Sequence, residues 1–486
     1  MKVSHSANIN FSNVDTLIIP IFEDKNLDIA SYGEVFQSVA DLLPNLKKSE
    51  VFTGKKNSNF VFTFGEKFPT IIALGLGKLK DCNLEVYRQV GGYAAGVLKN
   101  NHAVKLGIFS YSDNIDSASL LEGIILGAYS FEKYKTTSTY INFKSCKVFT
   151  NKKGIKKSLS VAEVMANATN FARDLSNSPG SEMTPSILVK EARKIATQNK
   201  VKISVLNEAK MSALGMNALL AVSKGSKEPA YLMSLFYKSS SSHPTIVLVG
   251  KGVTFDSGGI SLKPSAKMNE MKFDMCGAAA VLGSFKAICA LKPKVNVICV
   301  VPTSENMPGG GAVHPGDIVK AYNGKTIEID NTDAEGRLIL SDALAYSVKK
   351  YKPDVIVDVA TLTGACITSL GHIAAGIMTN DDDLADKLQN SADATGEKIW
   401  RLPIWQEYSD MVKGTYADLC NIGAAGQAGT ITGGCFIKEF VNDTPWAHID
   451  IAGMAWGVNH LKYHPKNSAT GYGVRLLTEL VFSLEK

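Results

Sequence analysis

Four acidic residues lie in short turns beside predicted strands and helices. Asp256 lies in a glycine-rich segment that follows the predicted strand Thr245–Val249, and Asp274 comes just before an alanine-rich helix. Asp333 and Glu335 share a third turn between a strand and a helix. Carboxylates gathered at one edge of a sheet repel each other unless cations neutralise them. The pattern predicts two divalent metal ions, which can activate a water molecule.

Basic residues accompany these acids. Lys251 and Lys263 lie on the same glycine-rich segment as Asp256, and Arg337 follows Glu335 by two positions. Oxygen ligands with one amine suit Mn²⁺, Mg²⁺ or Zn²⁺, and Lys251 can be that amine if its pKa is lowered. Taken singly, Asp274, Asp333 and Glu335 could be helix N-terminal acids favoured by the dipole, and Asp256 could be a turn residue. Each lysine could be solvated, and Arg337 could pair with a neighbouring acid. Their co-occurrence on three turns favours a catalytic site.

The first part of the chain alternates strand and helix signals, which predicts an α/β domain. The segments are strands at Thr16–Ile21, Phe60–Phe64, Thr70–Leu74 and Lys105–Phe109 and a helix at Leu84–Lys99. Helical periodicity over Val161–Leu175 and the turn-forming residues of Ser176–Pro185 predict a connector. We therefore predict an N-terminal α/β domain over 1–160, a connecting helix and linker over 161–185, and a larger catalytic domain over 186–486.

The second part contains continuous apolar strands separated by helices. The segments are strands Ile246–Val249, Val295–Val301 and Val355–Val359 and helices Ser186–Gln198, Gly277–Leu291 and Arg337–Lys350. Continuous apolar runs are typical of strands that are covered on both faces. The pattern predicts a mixed, largely parallel sheet sandwiched by helices.

Composition narrows the class of protein. The 486 residues carry eight cysteines without metal-finger spacing and no signal-peptide pattern, which indicates reduced thiols and a cytoplasmic location. No apolar run reaches the length of a membrane span, so we expect a soluble protein. The net charge of +6 arises mainly in residues 1–165, with 20 Lys and Arg against 15 Asp and Glu. Such an excess is usually a solvated surface, and an accessory role in nucleic-acid binding stays open.

Several motifs indicate no chemistry. Gly75 and Gly77 lack the rest of a dinucleotide fingerprint and are interpreted as a plain turn, and Asn323–Thr326 has the composition of a hairpin turn. Neither a GxSxG nor an HExxH motif is present, which argues against serine hydrolases and histidine-ligated zinc enzymes.

The residues of the acidic turns closely resemble the corresponding motifs of the leucyl aminopeptidase family. Its members are also called cytosol aminopeptidases or the bacterial aminopeptidase A group. The octapeptide Asn331–Leu338 matches the signature of that family. The resemblance extends over residues 170–480, while the first part matches only in general α/β character. It includes the segments Gly250–Pro264, Asp274–Ala279, Asp358–Ala365, Ala417–Leu419 and Trp446–Gly453.

The resemblance implies specific roles for these residues. One metal would be bound by Lys251, Asp256, Asp274 and Glu335, and the other by Asp256, Asp333 and Glu335. Lys263 would be the electrophile at the scissile carbonyl, and Arg337 would hold a bicarbonate ion that acts as general base. The substrate would be a peptide with a free α-amine and a Leu-like first residue. It would contact Met271, Thr361, Leu362, Gly364 and Ala452.

The resemblance also implies a homohexamer, arranged as a dimer of trimers. The chain departs from the family at Ser181, where a second asparagine is usual, outside the metal-binding set. Two alternatives stay open: a DNA-binding or architectural protein, and an inactive structural homologue. All five metal-binding positions are present, so an active two-metal aminopeptidase is predicted and DNA binding is at most a second activity.

Overall fold

A computed structural model describes residues 1–65, 67–138 and 142–485. The chain forms two compact units. The first comprises Met1–Asn167 and Asn459–Lys466, and the second comprises Ala168–Val458 and Asn467–Lys486. The domain boundaries given above stay predictions.

The first unit contains a six-stranded sheet in the order β1-β6-β5-β2-β4-β3. All neighbouring strands are parallel except β3, which pairs with β4 in the antiparallel direction. The strands are β1 (Lys2–Ser6), β2 (Thr16–Phe22), β3 (Asn59–Phe62), β4 (Thr70–Gly77), β5 (Lys105–Phe109) and β6 (Ser145–Phe149).

Helices cover both faces of this sheet. Alternate residues of a strand point to opposite faces, so Leu17 packs in the core beside α1 while Ile18 packs in the core beside α2 and α3. Side chains of Asn83 and Asp116 accept backbone hydrogen bonds that start α2 and α3. The helices are α1 (Glu34–Lys48), α2 (Leu84–Asn100), α3 (Ser117–Gly127) and the part of α4 (Ile155–Asn177) that precedes Ala168.

The second unit is built on a nine-stranded mixed sheet, ordered β16-β15-β18-β14-β9-β11-β8-β7, with β10 paired to β11. Its central strands β11, β9, β14 and β18 are parallel, which confirms the predicted architecture. The strands are β7 (Lys202–Asn207), β8 (Tyr231–Tyr237), β9 (Thr245–Gly250), β10 (Gly252–Asp256), β11 (Asn296–Asn306), β14 (Val355–Ala360), β15 (Ala375–Thr379), β16 (Ile399–Arg401) and β18 (Trp446–Asp450).

The same unit also contains a three-stranded sheet, ordered β12-β13-β17. Its antiparallel pair β12–β13 is the hairpin predicted at Asn323–Thr326, and Gly324 there has a φ of +95° that favours glycine. The strands are β12 (Asp317–Lys320), β13 (Thr326–Ile329) and β17 (Leu419–Cys420).

Ten helices are described from Pro185 onward. Val247 and Val249 of β9 pack in the core that contains α9, whereas Gly250 lies directly against α8, so these two helices cover opposite faces of the central strands. They are α5 (Pro185–Asn199), α6 (Glu208–Leu214), α7 (Asn217–Ser223), α8 (Cys276–Leu291), α9 (Glu335–Tyr351), α10 (Gly364–Leu370), α11 (Asp382–Thr395), α12 (Gln406–Asp410), α13 (Gly429–Lys438) and α14 (Val474–Ser483).

One helical run is apolar and long enough to cross a membrane by length and composition. It spans Met268–Leu291, and 78% of its apolar window is buried inside the second unit. A helix that is buried to this extent is typical of a protein core.

Two local predictions were wrong. Gly75 and Gly77 form no turn: they belong to β4, and a Cβ on Gly75 would lie 2.1 Å from the carbonyl oxygen of Lys55. Glycine there permits the close approach of two backbone segments. The glycine-rich segment after β9 is not all loop, because β10 pairs with β11 within it.

Candidate active site

The predicted acidic turns meet at the carboxyl ends of the central strands. Lys251 links β9 to β10, Asp256 ends β10, and Asp274 lies in the 3-10 helix that precedes α8. Glu335 is the first residue of α9 and Asp333 lies in the turn before it. One oxygen each of Asp256, Asp333 and Glu335 lie within 4.8 Å of one another, which is close enough to hold a metal ion.

Lys251 lies inside this group and is 2% exposed. Its Nζ is 2.7 Å from Asp274 Oδ1 and 2.8 Å from Glu335 Oε1, and it donates a hydrogen bond of 2.9 Å to the Thr361 carbonyl. Burial lowers the pKa of the ammonium, but the two carboxylates outweigh burial and raise that pKa above its ordinary value. The protein atoms alone therefore hold Lys251 as a cation. A neutral amine requires additional positive charge on the same carboxylates.

Lys263 reaches the other two carboxylates. Its Nζ is 2.8 Å from Asp256 Oδ2 and 2.5 Å from Asp333 Oδ1. Burial opposes the charged form, and these acids again raise the pKa of the lysine. Lys263 thus contacts two side chains that are predicted as metal ligands.

Asn306 supports Asp256. Its side-chain amide donates to Asp256 Oδ1 at 2.8 Å and to the Thr332 carbonyl at 3.0 Å, while Gly258 N donates to the same Asp256 oxygen at 2.9 Å. Burial, with the charge of Glu335, raises the pKa of Asp256 to about 7. Sequence reasoning missed Asn306, because nothing in its local sequence distinguishes it from other residues at the end of a strand.

The donor set fits divalent metals. Asp274 Oδ2 is buried and has no hydrogen-bond partner in the described part of the chain, and Asp333 Oδ1 and Glu335 Oε1 also lack well-aligned hydrogen bonds there. Burial raises the pKa of Asp274, because the charged carboxylate is removed from water, while Lys251 opposes this effect. Four carboxylates outnumber the two ammonium groups, so cations with oxygen preference balance the site.

Arg337 is the third residue of α9. Its Nη1 donates to the Asn421 carbonyl at 2.8 Å, while Nε is buried and lacks a partner among the described residues. Burial lowers the pKa of this guanidinium, although Glu335 and Asp450 oppose that effect. An unpaired buried N–H of a guanidinium suits a small oxyanion such as bicarbonate.

Asn421 also holds the signature turn. Its side-chain amide donates to the Asn331 carbonyl at 2.7 Å, and its Oδ1 accepts from Asp330 N at 2.9 Å. It was missed as well, although it lies two residues beyond the segment Ala417–Leu419 that carries the family resemblance.

Asp450, at the end of β18, holds two of the predicted substrate-contacting residues. Its Oδ1 accepts from the amides of Leu362 and Ala452 at 3.1 Å each, and its Oδ2 accepts from Thr363 Oγ1 at 2.7 Å. Burial raises the pKa of this carboxyl group, while His448 lowers it. Asp450 lies inside the segment Trp446–Gly453 but carried no predicted role.

The other residues that are predicted to contact substrate are Thr361, Met271 and Gly364. Thr361 donates its hydroxyl to Asp274 Oδ1 at 2.7 Å, so it orients a predicted ligand. Met271 belongs to the 3-10 helix Met268–Met275 that contains Asp274, and Gly364 begins α10. Their contacts with a substrate stay predictions.

His448, two residues before Asp450 on β18, forms a buried pair with Asp358. His448 Nδ1 is 2.5 Å from Asp358 Oδ1, and Trp446 Nε1 donates to Asp358 Oδ2 at 2.7 Å. Burial lowers the pKa of His448, but Asp358 outweighs burial and raises that pKa. The pair joins β14 to β18, and the site includes Thr361, which follows β14, and Asp450, which is the last residue of β18.

A two-unit α/β protein with clustered carboxylates, two lysines and an arginine at the carboxyl ends of parallel strands belongs to the class of metallohydrolases. Comparison with known sequences is more specific. The N-terminal domain of the cytosol aminopeptidase family matches residues 18–138, and the catalytic domain of that family matches residues 170–478. The chain belongs to the cytosol aminopeptidase family.

Curated relatives match along nearly the whole chain. A probable cytosol aminopeptidase of Geobacter sp. (strain M21) is 41% identical, and the alignment covers 95% of this chain and 96% of the relative. One of Geotalea uraniireducens (strain Rf4) is 42% identical over 93% of this chain and 94% of the relative. The chain is therefore a metal-dependent aminopeptidase, a hydrolase that acts on peptide bonds.

Solved structures agree in fold. A mutant of tomato leucine aminopeptidase is 32% identical with a TM-score of 0.88, covering 99% of this chain and 96% of that one. The bottromycin maturation enzyme BotP in complex with Mn is 29% identical with a TM-score of 0.87, covering 97% and 100%.

Proposed function

We propose that the chain removes the N-terminal residue of peptides that have a free α-amine, with preference for a Leu-like first residue, by means of two divalent metal ions. The observation that supports this proposal most is the group Asp256, Asp333 and Glu335, whose oxygens converge within 4.8 Å. Mn²⁺ or Zn²⁺ is the proposed metal. The Mn-bound neighbour BotP is consistent with the former.

The proposed ligands of one metal are Lys251, Asp256, Asp274 and Glu335. Those of the other are Asp256, Asp333 and Glu335. When bound, such a pair lowers the pKa of a water molecule and polarises the scissile carbonyl. The chain itself keeps these carboxylates in position, because Asn306 and Gly258 N hold Asp256 while Thr361 holds Asp274.

Lys263 is the proposed electrophile. Its ammonium group is paired with two carboxylates and is partly accessible, with a side chain that is 21% exposed. A fixed positive charge at this position stabilises the oxyanion that develops as the carbonyl is attacked.

Arg337 is the proposed site for bicarbonate, which would accept the proton released during attack. The buried Nε without a partner in the described chain supports this role. Asp450 would position the substrate-binding turn, since it holds the amides of Leu362 and Ala452.

We further propose a cytoplasmic homohexamer, as a dimer of trimers. The curated relatives are named cytosol aminopeptidases, which supports the location. Large apolar side chains exposed on the second unit support assembly, with Trp400 and Trp405 each 64% exposed and Tyr416 86% exposed. DNA remains only a candidate second ligand, suggested by the basic charge of residues 1–165.

The decisive experiment compares leucinamide, N-acetyl-leucinamide and other aminoacyl amides, with and without chelation. We expect hydrolysis of leucinamide that disappears on exhaustive chelation and returns with Mn²⁺ or Zn²⁺. The acetylated substrate should not be hydrolysed. Full activity after chelation, or equal rates on both leucine substrates, would contradict the proposal.

A further inference from the structure

A cavity of about 250 Å³ lies in the first unit at the carboxyl ends of β1, β5 and β6. It is lined by residues just beyond these strands and by Tyr32, from the connection between β2 and α1. This volume lies just below the range of roughly 300 to 1,000 Å³ that is usual for ligand pockets. The aminopeptidase residues proposed above all lie in the second unit.

The topology of the sheet favours binding at this edge. The chain leaves β2 toward β4 with α1 on one face, whereas it leaves β5 toward β6 with α3 on the other face. The chain therefore leaves the adjacent strands β2 and β5 in opposite directions and on opposite faces of the sheet. In open α/β sheets, ligands bind in the crevice outside the carboxyl ends of strands at such a point.

The charge around the cavity favours a phosphate group. Lys152 lines it and donates from Nζ to the Asp113 carbonyl at 3.3 Å. Lys153, Lys156 and Lys157 follow Lys152 in the chain, at the start of α4, and are exposed. The first-turn amides of a helix add partial positive charge to these four ammonium groups. This explains the lysine cluster, which the aminopeptidase function leaves without a role.

Aromatic rings and one acid complete the lining. Tyr32 is 44% exposed, and its ring meets Phe109 edge-on at 4.9 Å between centroids. The ring of Tyr111, which is partly buried, lies 5.9 Å from that of Phe109. Exposed aromatic rings bind nucleobases by stacking. Asp113 also lines the cavity, and a carboxylate can accept hydrogen bonds from vicinal hydroxyl groups.

We propose that this cavity binds a nucleoside monophosphate. The base contacts Tyr32 and Tyr111, the ribose hydroxyls donate to Asp113, and the phosphate binds Lys152 and the neighbouring lysines. Such a site goes beyond the aminopeptidase function and does not depend on it.

Isothermal titration of the metal-loaded full-length protein with AMP tests the site. We expect saturable binding that weakens at least tenfold in the double variant Lys152→Ala/Lys156→Ala, because each lysine supplies a charge-assisted contact. Tyr32→Ala should weaken binding by about the same factor. The matched control Lys200→Ala/Lys202→Ala removes equal charge from the second unit and should change the affinity by less than about twofold.

Four outcomes would overturn the proposal: no saturable binding of AMP up to about 1 mM, equal binding of adenosine, unchanged affinity in both cavity variants, or tighter binding of single-stranded DNA that is insensitive to Tyr32→Ala. The rate of leucinamide hydrolysis should stay unchanged in the cavity variants. Binding of AMP can therefore fail while hydrolysis succeeds, and the reverse, so the two proposals are tested separately.

Discussion

At the scale of single residues, the site depends on lysines that are surrounded by acids. Lys251 is almost wholly buried and contacts Asp274 and Glu335, whereas Lys263 is partly exposed and contacts Asp256 and Asp333. The buried lysine is suited to be a ligand, and the accessible one to act on substrate. Their different exposures allow the two roles to be separated by mutation.

Lys263→Ala should lower kcat far more than it changes substrate binding, with about two metals per chain retained. Loss of a preorganised charge at a developing oxyanion costs roughly 10² to 10³ in kcat, or about 3 to 4 kcal/mol. Metal content and turnover should be measured on the same preparation. Lost metal would make Lys263 a ligand, and unchanged turnover would make it an ordinary surface lysine.

His448 should make the stability of the protein depend on pH. Asp358 raises the pKa of His448 in the folded state, so the charged pair contributes most below the unfolded value of about 6.5 and its contribution is lost as pH rises through the folded pKa. We therefore expect His448→Gln to lower Tm more at pH 6 than at pH 9. A difference in Tm that is constant over this range, or that grows with pH, would contradict a charged pair.

At the scale of elements, the start of α9 determines how closely Lys251 approaches the carboxylates. A Cβ on Gly336 would lie 2.6 Å from Lys251 Cε and 2.7 Å from its Nζ. The lysine cannot move away without losing its contacts with Asp274, Glu335 and the Thr361 carbonyl. A glycine at the second residue of a helix therefore serves the site, despite its low helix propensity.

Gly336→Ala should reduce metal retention and activity. The control is Gly96→Ala in α2, where no atom lies within 4 Å of the added Cβ. That change should raise stability by about 0.5–1 kcal/mol through helix propensity and leave activity unchanged. Metal content, kcat and unfolding by denaturant should be compared for both variants. Normal metal content and turnover in Gly336→Ala would show that Lys251 relaxes freely.

At the scale of the whole molecule, the chain divides into two compact units, and a different function is proposed for each. The second unit carries the proposed metal-binding residues and several large apolar side chains on its surface, while the first carries the lysine cluster and the cavity of about 250 Å³. Exposed tryptophans are costly to leave in water and are typical of interfaces between proteins.

The proposed hexamer predicts a solution mass near six times the 52.2 kDa of one chain. Replacing Trp400 and Trp405 by lysine should lower that mass, because charges would be buried in an apolar interface. Light scattering after size-exclusion chromatography measures it. Lys349→Ala/Lys350→Ala, a change of two exposed residues on α9, is the control that should leave the mass unchanged. A monomer in the wild type would contradict the hexamer directly.

The sequence alone determined the fold class, the family and the turns that carry the acids. These follow from local information: apolar periodicity marks the strands of both units, and the octapeptide Asn331–Leu338 is contiguous. Tertiary structure decided what local patterns cannot encode. Asn306, Asn421 and Asp450 join the site through hydrogen bonds between residues far apart in the chain, Gly75 lies in a strand because the segment near Lys55 packs against it, and the pairing of each lysine with particular acids depends on distances that exist only after the strands have assembled.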